Sequence, residues 1–296
     1  MTLLLSLAML PMLAQIGPYA GAGSDNTPSL PKGIDDMPRR RKPAPAVAPL
    51  QLPPSLTGSG QACKDALEGD PAEAVNVASD WVTKAGKDEI ADAQACLAMA
   101  HSRRQEWSDA ESAFTAARDA SGADRLARAR YGAAAGNAAL ASGDSARALV
   151  DLVQAADDAK DSKDHELIGG IALDRARALV AAKRLPEAET ALDEARAHLP
   201  QSSEAWLLSA TLARRMEKMD RAQSHIERAG ELNPLDPAIG LEAGVIAMLT
   251  GHEAAAKKSW QSVIAAAPGS PEAVQARSYL RQVGVDTPDA AKPAGR

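Results

Sequence analysis

The dipeptide His252-Glu253 is the stretch of this chain that comes closest to a catalytic motif. In zinc proteases, H-E-x-x-H places two histidines one helical turn apart, so that both bind one ion and the glutamate activates water. Here the residue four positions after His252 is Ala256. One histidine does not hold a catalytic zinc ion, so we interpret His252 as an exposed residue at the start of a helix.

Other catalytic signatures are missing from the sequence. It contains no G-x-S-x-G, no Walker loop and no dinucleotide fingerprint. Its histidines are scattered, and none has an evident acidic or cysteine partner in the sequence. We therefore predict no catalytic residue, no metal site and no cofactor, and expect that the protein is not an enzyme. The five histidines are His101, His165, His198, His225 and His252.

Composition favours a helical chain. Of the 296 residues, 45% are hydrophobic but only 3% are aromatic, and alanine dominates the apolar set. A core of alanines requires closely packed backbones, which helices achieve more readily than sheets, and sustained alternating strand patterns are missing. The net charge of -6 is spread along the chain, with no basic face for nucleic acid.

The N-terminal region divides into two zones. Residues 1–22 begin with an apolar run and continue with small residues, which predicts a secretory signal peptide cleaved after Ala14 or near residues 20–22. No basic residue precedes the run, so an uncleaved anchor and a cytosolic tail remain alternatives. Residues 23–56 contain eight prolines and no apolar periodicity, which predicts a disordered linker. Its basic run, 39–42, is either a contact for a polyanion or anionic membrane, or a solvated cluster.

A 34-residue repeat organises the C-terminal half of the chain. Pro200, Pro234 and Pro268 follow one another at this interval. Small residues and one large apolar residue keep the same step, three times in register, so chance placement is a poor explanation. These sets are Ala176, Ala210 and Gly244; Ala188, Ala222 and Ala256; and Leu192, Ile226 and Trp260.

This pattern resembles the tetratricopeptide repeat (TPR), a helix-turn-helix unit that carries W-x2-L-G-x2-Y, A-x3-F and P. Trp206 takes the first aromatic place in one unit, and Gly244 takes the glycine place in the next. The tyrosine place is filled by Ala213 and Ala247, which thins the core. The resemblance implies an all-α fold, a right-handed α-solenoid of about six units with a C-terminal capping helix.

The pattern continues upstream with looser spacing, and it predicts one repeat domain over residues 57–283. We expect a capping helix at about 271–283 and a disordered tail over 284–296. The six predicted helix pairs lie near 56–88, 91–124, 129–162, 169–202, 203–236 and 237–270.

The two cysteines of the chain, Cys63 and Cys96, fall in the first helices of the first two units. The resemblance implies that such helices lie side by side. We therefore predict a disulfide in an oxidising compartment. The alternative is a pair of free buried thiols in a cytosolic protein.

The resemblance also implies a concave wall that is built from the first helix of each unit and holds a peptide or a partner helix. We expect its middle to be basic and to accept an acidic segment through bidentate hydrogen bonds. The alternative is that its arginines pair with local acids and bind nothing. The expected wall residues are Arg130, Asn137, Arg177, Leu207, Thr211, Arg214, Leu241, Val245 and Met248.

The sequence thus predicts a protein-interaction scaffold that is exported to the periplasm of a bacterial cell envelope. Its partner is a protein or a peptide and not a nucleic acid, and it contacts the membrane only through an uncleaved N-terminal segment. Two alternatives remain open: an accessory subunit of an envelope enzyme or polysaccharide-export system, and a cytosolic adaptor. The sequence predicts neither the identity of the partner nor the oligomeric state.

Overall fold

The computed structural model of the protein describes residues 58–285. The predicted signal peptide, the predicted proline-rich linker and residues 286–296 of the predicted tail lie outside the described residues. The described part divides into two compact units, residues 58–208 and 209–285.

Residues 58–285 contain thirteen α-helices and no strand, so the predicted all-α helical-repeat fold is confirmed. The helices follow one another at the positions of the six expected pairs, and α13 takes the place of the expected capping helix. Their bounds are α1 Ser59–Glu68, α2 Pro71–Lys84, α3 Ile90–Arg103, α4 Trp107–Ala120, α5 Arg125–Ser142, α6 Ser145–Ala159, α7 His165–Ala181, α8 Leu185–His198, α9 Ser203–Arg215, α10 Met219–Leu232, α11 Pro237–Leu249, α12 Glu253–Ala266 and α13 Pro271–Gln282.

The same turn joins the two helices of the second to the sixth pair. One residue in each turn has a positive φ: Gln105, Gly143, Lys183, Glu217 and Gly251. The N–H of the next residue donates to the carbonyl five residues earlier, at 2.8–3.0 Å. This is the Schellman motif, which satisfies the last carbonyls of the first helix. Its recurrence shows that the upstream pairs, whose sequence spacing departs from 34, are structural repeats as well.

Small residues set the distance between helices in the unit 58–208. The core there consists mostly of buried alanines. A Cβ atom added to Gly136 of α5 would lie 2.5 Å from Cγ of Leu152 on α6, so only glycine allows this approach. The alanine-rich composition predicted closely packed helix backbones, and the buried alanines and Gly136 allow this close packing in residues 58–208.

In the unit 209–285, the core is built around Trp260 of α12, which is 0% exposed. The Trp260 indole N–H donates to the Leu241 carbonyl at 3.3 Å, and its ring lies 5.1 Å from that of Tyr279 on α13. A Cβ atom at Gly244 of α11 would overlap the indole ring. The repeat positions Gly244, Ala256 and Trp260 are thus all buried, as their 34-residue recurrence predicted. His252, in contrast, is a half-buried residue at the N-cap of α12, rather than an exposed one.

A disulfide joins α1 to α3. The Cα atoms of Cys63 and Cys96 lie 6.6 Å apart, within the limit of about 7 Å for an unstrained bridge. Both cysteines are buried beside Trp81. The bond closes a loop with a sequence separation of 33 residues, and so ties the short first helix to the second pair.

We expect reduction of this disulfide to lower the free energy of unfolding by about 3–4 kcal/mol on the chain-entropy model. Removal of the cross-link increases the entropy of the unfolded chain, and α1 then depends on its remaining packing. Urea unfolding of the oxidised and reduced protein measures the loss, and hydrogen exchange shows whether α1 loses protection first. A Cys63→Ser/Cys96→Ser variant that matched the oxidised protein in both measurements would contradict this expectation.

Asp151 of α6 is a destabilising carboxylate. One of its oxygens is buried and has no hydrogen-bond partner among the described residues. Burial, and then repulsion from Glu111, raises the pKa of Asp151 to about 6, from an ordinary value of 3.8. The folded state therefore binds more protons than the unfolded state between about pH 4 and 6, and this group lowers stability as the pH rises through that window.

We expect Asp151→Asn to stabilise the protein by about 1 kcal/mol at pH 7, after allowance for screening by water at this partly exposed site. The gain should shrink at pH 4.5, where the folded wild type keeps the proton. Asp157→Asn on the same helix is the control, because Lys160 holds the pKa of Asp157 below its usual value. An equal gain in both variants, or a gain that does not depend on pH, would refute the assignment.

Candidate partner-binding surface

Polar side chains connect successive first helices in the unit 58–208. Asp174 of α7 is 0% exposed and accepts a hydrogen bond from Nδ2 of Asn137 on α5 at 2.8 Å. Arg177, one turn after Asp174, donates to its other oxygen and also to Glu204 on α9. A polar network thus runs across three first helices, from α5 to α9, and it contains two of the predicted wall residues.

This network leads from the interior to the surface. A buried carboxylate destabilises the folded state unless it is paired and hydrogen-bonded. Asn137 and Arg177 provide these contacts to Asp174. The Arg177 side chain is 7% exposed and its Nε has no partner within the described residues, whereas Glu204 is 47% exposed. Asp174 therefore fixes the Arg177 guanidinium from the inside, and Glu204 covers it from the outside.

Arg130 of α5 is the most accessible of the predicted wall arginines. Its side chain is 47% exposed and forms one ion pair with Asp164, at 3.3 Å. Asp164 also caps α7, where it accepts from the Leu167 N–H at 3.0 Å. An exposed pair of this kind contributes at most about 1 kcal/mol, so Arg130 is available to another carboxylate. Leu207 of α9 is half-buried.

The predicted wall residues of the unit 209–285 lie mostly in its interior. Leu241, Val245 and Met248 are 6%, 0% and 2% exposed and belong to the core around Trp260. The structure therefore places these three side chains in the core and not on a solvent-facing wall. Thr211 is half-buried.

Arg214 is also buried in this unit, and it pairs with Glu242. Nε of Arg214 lies 2.7 Å from Oε1 of Glu242, and the two side chains are 5% and 1% exposed. All three predicted wall arginines thus pair with carboxylates of the chain itself, as the alternative interpretation of the sequence expected. Asp164, Glu204 and Glu242 were not predicted as partners, because they lie 27–34 residues away from the arginines that they bind.

The turn between α3 and α4 holds a second polar group that the sequence did not reveal. Ligand atoms of His101, Glu106 and Asp109 lie within 4.8 Å of one another, and residues 58–285 contain no other group of three or more potential metal ligands. Glu106 is already engaged, since Nδ1 of His101 lies 2.8 Å away and Nε of Arg104 lies 2.6 Å away. These contacts lower the pKa of Glu106. The Arg104 cation competes with a metal ion here, so we assign no metal to this turn.

In residues 58–285, no helix is both long enough and apolar enough to cross a membrane. No protein-family model matches the chain. No curated protein matches it either.

Solved structures do match. PilW, described as a widely conserved type IV pilus biogenesis factor, has a TM-score of 0.60 and 17% identity, over 73% of this chain and 96% of PilW. PilF of Pseudomonas aeruginosa has a TM-score of 0.52 and 14% identity, over 74% of this chain and 98% of its own. YrrB, described as a TPR protein with an unusual peptide-binding site, has a TM-score of 0.50 and 18% identity, over 68% of this chain and 97% of its own.

The thirteen helices, the repeated Schellman turns and these similarities together define the class. The chain has the fold of the tetratricopeptide-repeat proteins, as the sequence predicted. At identities below 20% these similarities show the fold alone.

Proposed function

We propose that the protein is a non-enzymatic scaffold that binds an acidic segment of a partner protein on the first helices of the unit 58–208. The fold belongs to a class of interaction modules, which supports the general role. The observation that carries the specific proposal is the position of Arg177. Its guanidinium is held on one side by the buried Asp174 and pairs on the other with the half-exposed Glu204.

A partner carboxylate can take the place of Glu204 at small cost. The pair of Arg177 and Glu204 is open to water on its acidic side, so the Glu204 carboxylate can move into water when a partner carboxylate arrives. Asp174 holds the Arg177 side chain in place whether or not Glu204 stays. Arg130 adds an exposed cation on α5, so a partner segment with two carboxylates would meet two arginines.

The first test compares two charge reversals. Arg130→Glu changes the proposed surface. Arg184→Glu is the matched control, because Arg184 is similarly exposed, at 50% against 47%, and also has a single acidic partner. Each variant and the wild type would capture partners from the envelope fraction of the producing cells, after circular dichroism has shown that all three are folded. We expect Arg130→Glu to lose a partner that Arg184→Glu retains. Retention by both variants would exclude this surface.

In the second test, the substitution is expected to strengthen partner binding. Glu204→Gln removes the carboxylate that competes for Arg177, so we expect tighter binding of the captured partner. Glu187→Gln is the control, because Glu187 pairs with an arginine outside the proposed surface. Weaker binding by Glu204→Gln would show that Glu204 itself contacts the partner. The proposal of an acidic partner segment would then be wrong, and a basic segment would be expected instead.

We also propose that the scaffold is exported to the bacterial cell envelope. Three observations support this: the signal-like residues 1–22, the Cys63–Cys96 disulfide, and the likeness of the fold to a type IV pilus biogenesis factor. N-terminal sequencing of the native protein tests the proposal. Cleavage after Ala14 or near residues 20–22 is expected, whereas an intact Met1 together with reduced cysteines would favour the cytosolic adaptor.

A further inference from the structure

Two histidines face each other at the end of the fourth helix pair. His165 is the first residue of α7 and His198 is the last residue of α8. Their Nδ1 atoms lie 2.9 Å apart, and their rings are 5.1 Å apart and inclined by 33°. Neither residue occupies a recurring position of the repeat, since the residues 34 positions later are Leu199 and Leu232. The repeat fold therefore does not explain this pair.

Gly169 brings the two histidines together. It lies one turn after His165 on α7, and a Cβ atom there would overlap the Leu199 side chain and lie 3.0 Å from Cβ of His198. Only glycine lets the end of α8 approach the first turn of α7 this closely. Gly169 is also outside the small-residue positions of the 34-residue pattern, so its effect is local to the histidine pair.

The opposed nitrogen atoms are suited to a metal ion. A neutral imidazole carries one N–H, so two Nδ1 atoms form a hydrogen bond only if the two rings adopt different tautomers. When both protons lie on Nε2, the two Nδ1 lone pairs point toward each other, which a cation between them would stabilise. Metal–imidazole bonds of about 2.0–2.1 Å and the observed separation give an N–metal–N angle of about 90°. This is the angle between adjacent ligands in square-planar or octahedral coordination, whereas tetrahedral zinc requires a wider one.

We propose that His165 and His198 bind a divalent transition-metal ion, Cu²⁺ in preference to Ni²⁺ and Zn²⁺, through their Nδ1 atoms. The preference follows from the angle and from the order of metal affinities, in which Cu²⁺ stands highest. The segment 160–166 around His165 carries three carboxylates and two lysines, a small excess of negative charge. Within the described residues, no third histidine, cysteine or carboxylate ligand completes a group there, so water fills the other positions.

The test is a calorimetric titration of the full-length, tag-free protein with CuCl₂, NiCl₂ and ZnCl₂, in a buffer with a weak competing ligand. The wild type should show one tight Cu²⁺ site, with Ni²⁺ and Zn²⁺ weaker in turn. Electron paramagnetic resonance of the Cu²⁺ complex should show two nitrogen ligands. His165→Ala and His198→Ala should each weaken Cu²⁺ binding at least about tenfold and leave a single nitrogen ligand.

Two further variants test whether Cu²⁺ binding depends on the spacing of the two histidines as well as on their presence. Gly169→Ala keeps both histidines but forces α8 away, so Cu²⁺ binding should weaken while circular dichroism stays unchanged. His101→Ala is the control, because it removes the histidine of the α3–α4 turn, and it should leave Cu²⁺ binding unchanged. The proposal is overturned if the two pair variants bind Cu²⁺ as tightly as the wild type, or if His101→Ala is the variant that loses the site.

Discussion

Trp260→Ala should lower the free energy of unfolding by about 3–5 kcal/mol, the range observed when a buried large aromatic side chain is removed. Trp260 is fully buried, contacts Tyr279 and fills the space that Gly244 leaves open. The substitution also removes the hydrogen bond to the Leu241 carbonyl. Because repeat units are stabilised by their neighbours, we expect the loss to appear first as faster hydrogen exchange in α11, α12 and α13.

Trp206→Ala provides the comparison for this prediction. Trp206 is only half-buried, although its indole N–H donates to the Pro200 carbonyl at 3.0 Å and the Arg196 guanidinium lies 5.0 Å from its ring. Trp206→Ala should therefore lower the free energy of unfolding, measured with urea, clearly less than Trp260→Ala does. Equal losses, or uniform loosening along the chain in Trp260→Ala, would mean that the 34-residue register does not define the packing units.

The repeat could be predicted from the sequence because its signal is both local and periodic. Small residues at fixed steps allow the paired helices to approach, and Pro200, Pro234 and Pro268 follow the ends of second helices. Those requirements recur three times, which makes them visible without a structure. The Schellman turns were not predicted, because Gln105, Lys183 and Glu217 adopt a conformation that their residue types do not favour.

The candidate surface was harder to predict, for reasons that differ between the two units. Helix α11 reads PAIGLEAGVIAML and is apolar on nearly every side, so its sequence does not distinguish a wall from a core. Leu241, Val245 and Met248 were therefore expected on the wall but lie in the core. In the unit 58–208 the network depends on contacts between repeats, from Asn137 to Asp174 and from Arg177 to Glu204, and no short spacing in the sequence reveals such pairs. The pair His165 and His198 was missed for the same reason, since the two lie 33 residues apart.

Glu242→Ala is the second substitution for which we expect a loss of about 3–5 kcal/mol, because it leaves the Arg214 charge buried and unpaired. Both side chains are almost completely enclosed, at 1% and 5% exposure. The pair as a whole need not be stabilising, since taking two charges out of water costs about as much as their attraction returns. We therefore expect Arg214→Met/Glu242→Leu to recover most of the stability that either single variant loses. A double-mutant cycle of Arg214→Met, Glu242→Leu and the double variant, measured by urea unfolding, gives the coupling, and additive losses would show that the two side chains act independently.

The same double variant tests whether Arg214 stabilises the fold or binds the partner. Arg214 was predicted as a wall residue, but its burial and its pairing with Glu242 indicate a structural role. If that is correct, the folded Arg214→Met/Glu242→Leu protein should bind its partner as tightly as the wild type, while Arg130→Glu does not. Loss of the partner by the folded double variant would instead make Arg214 a binding residue, and the proposed surface would have to extend beyond the unit 58–208.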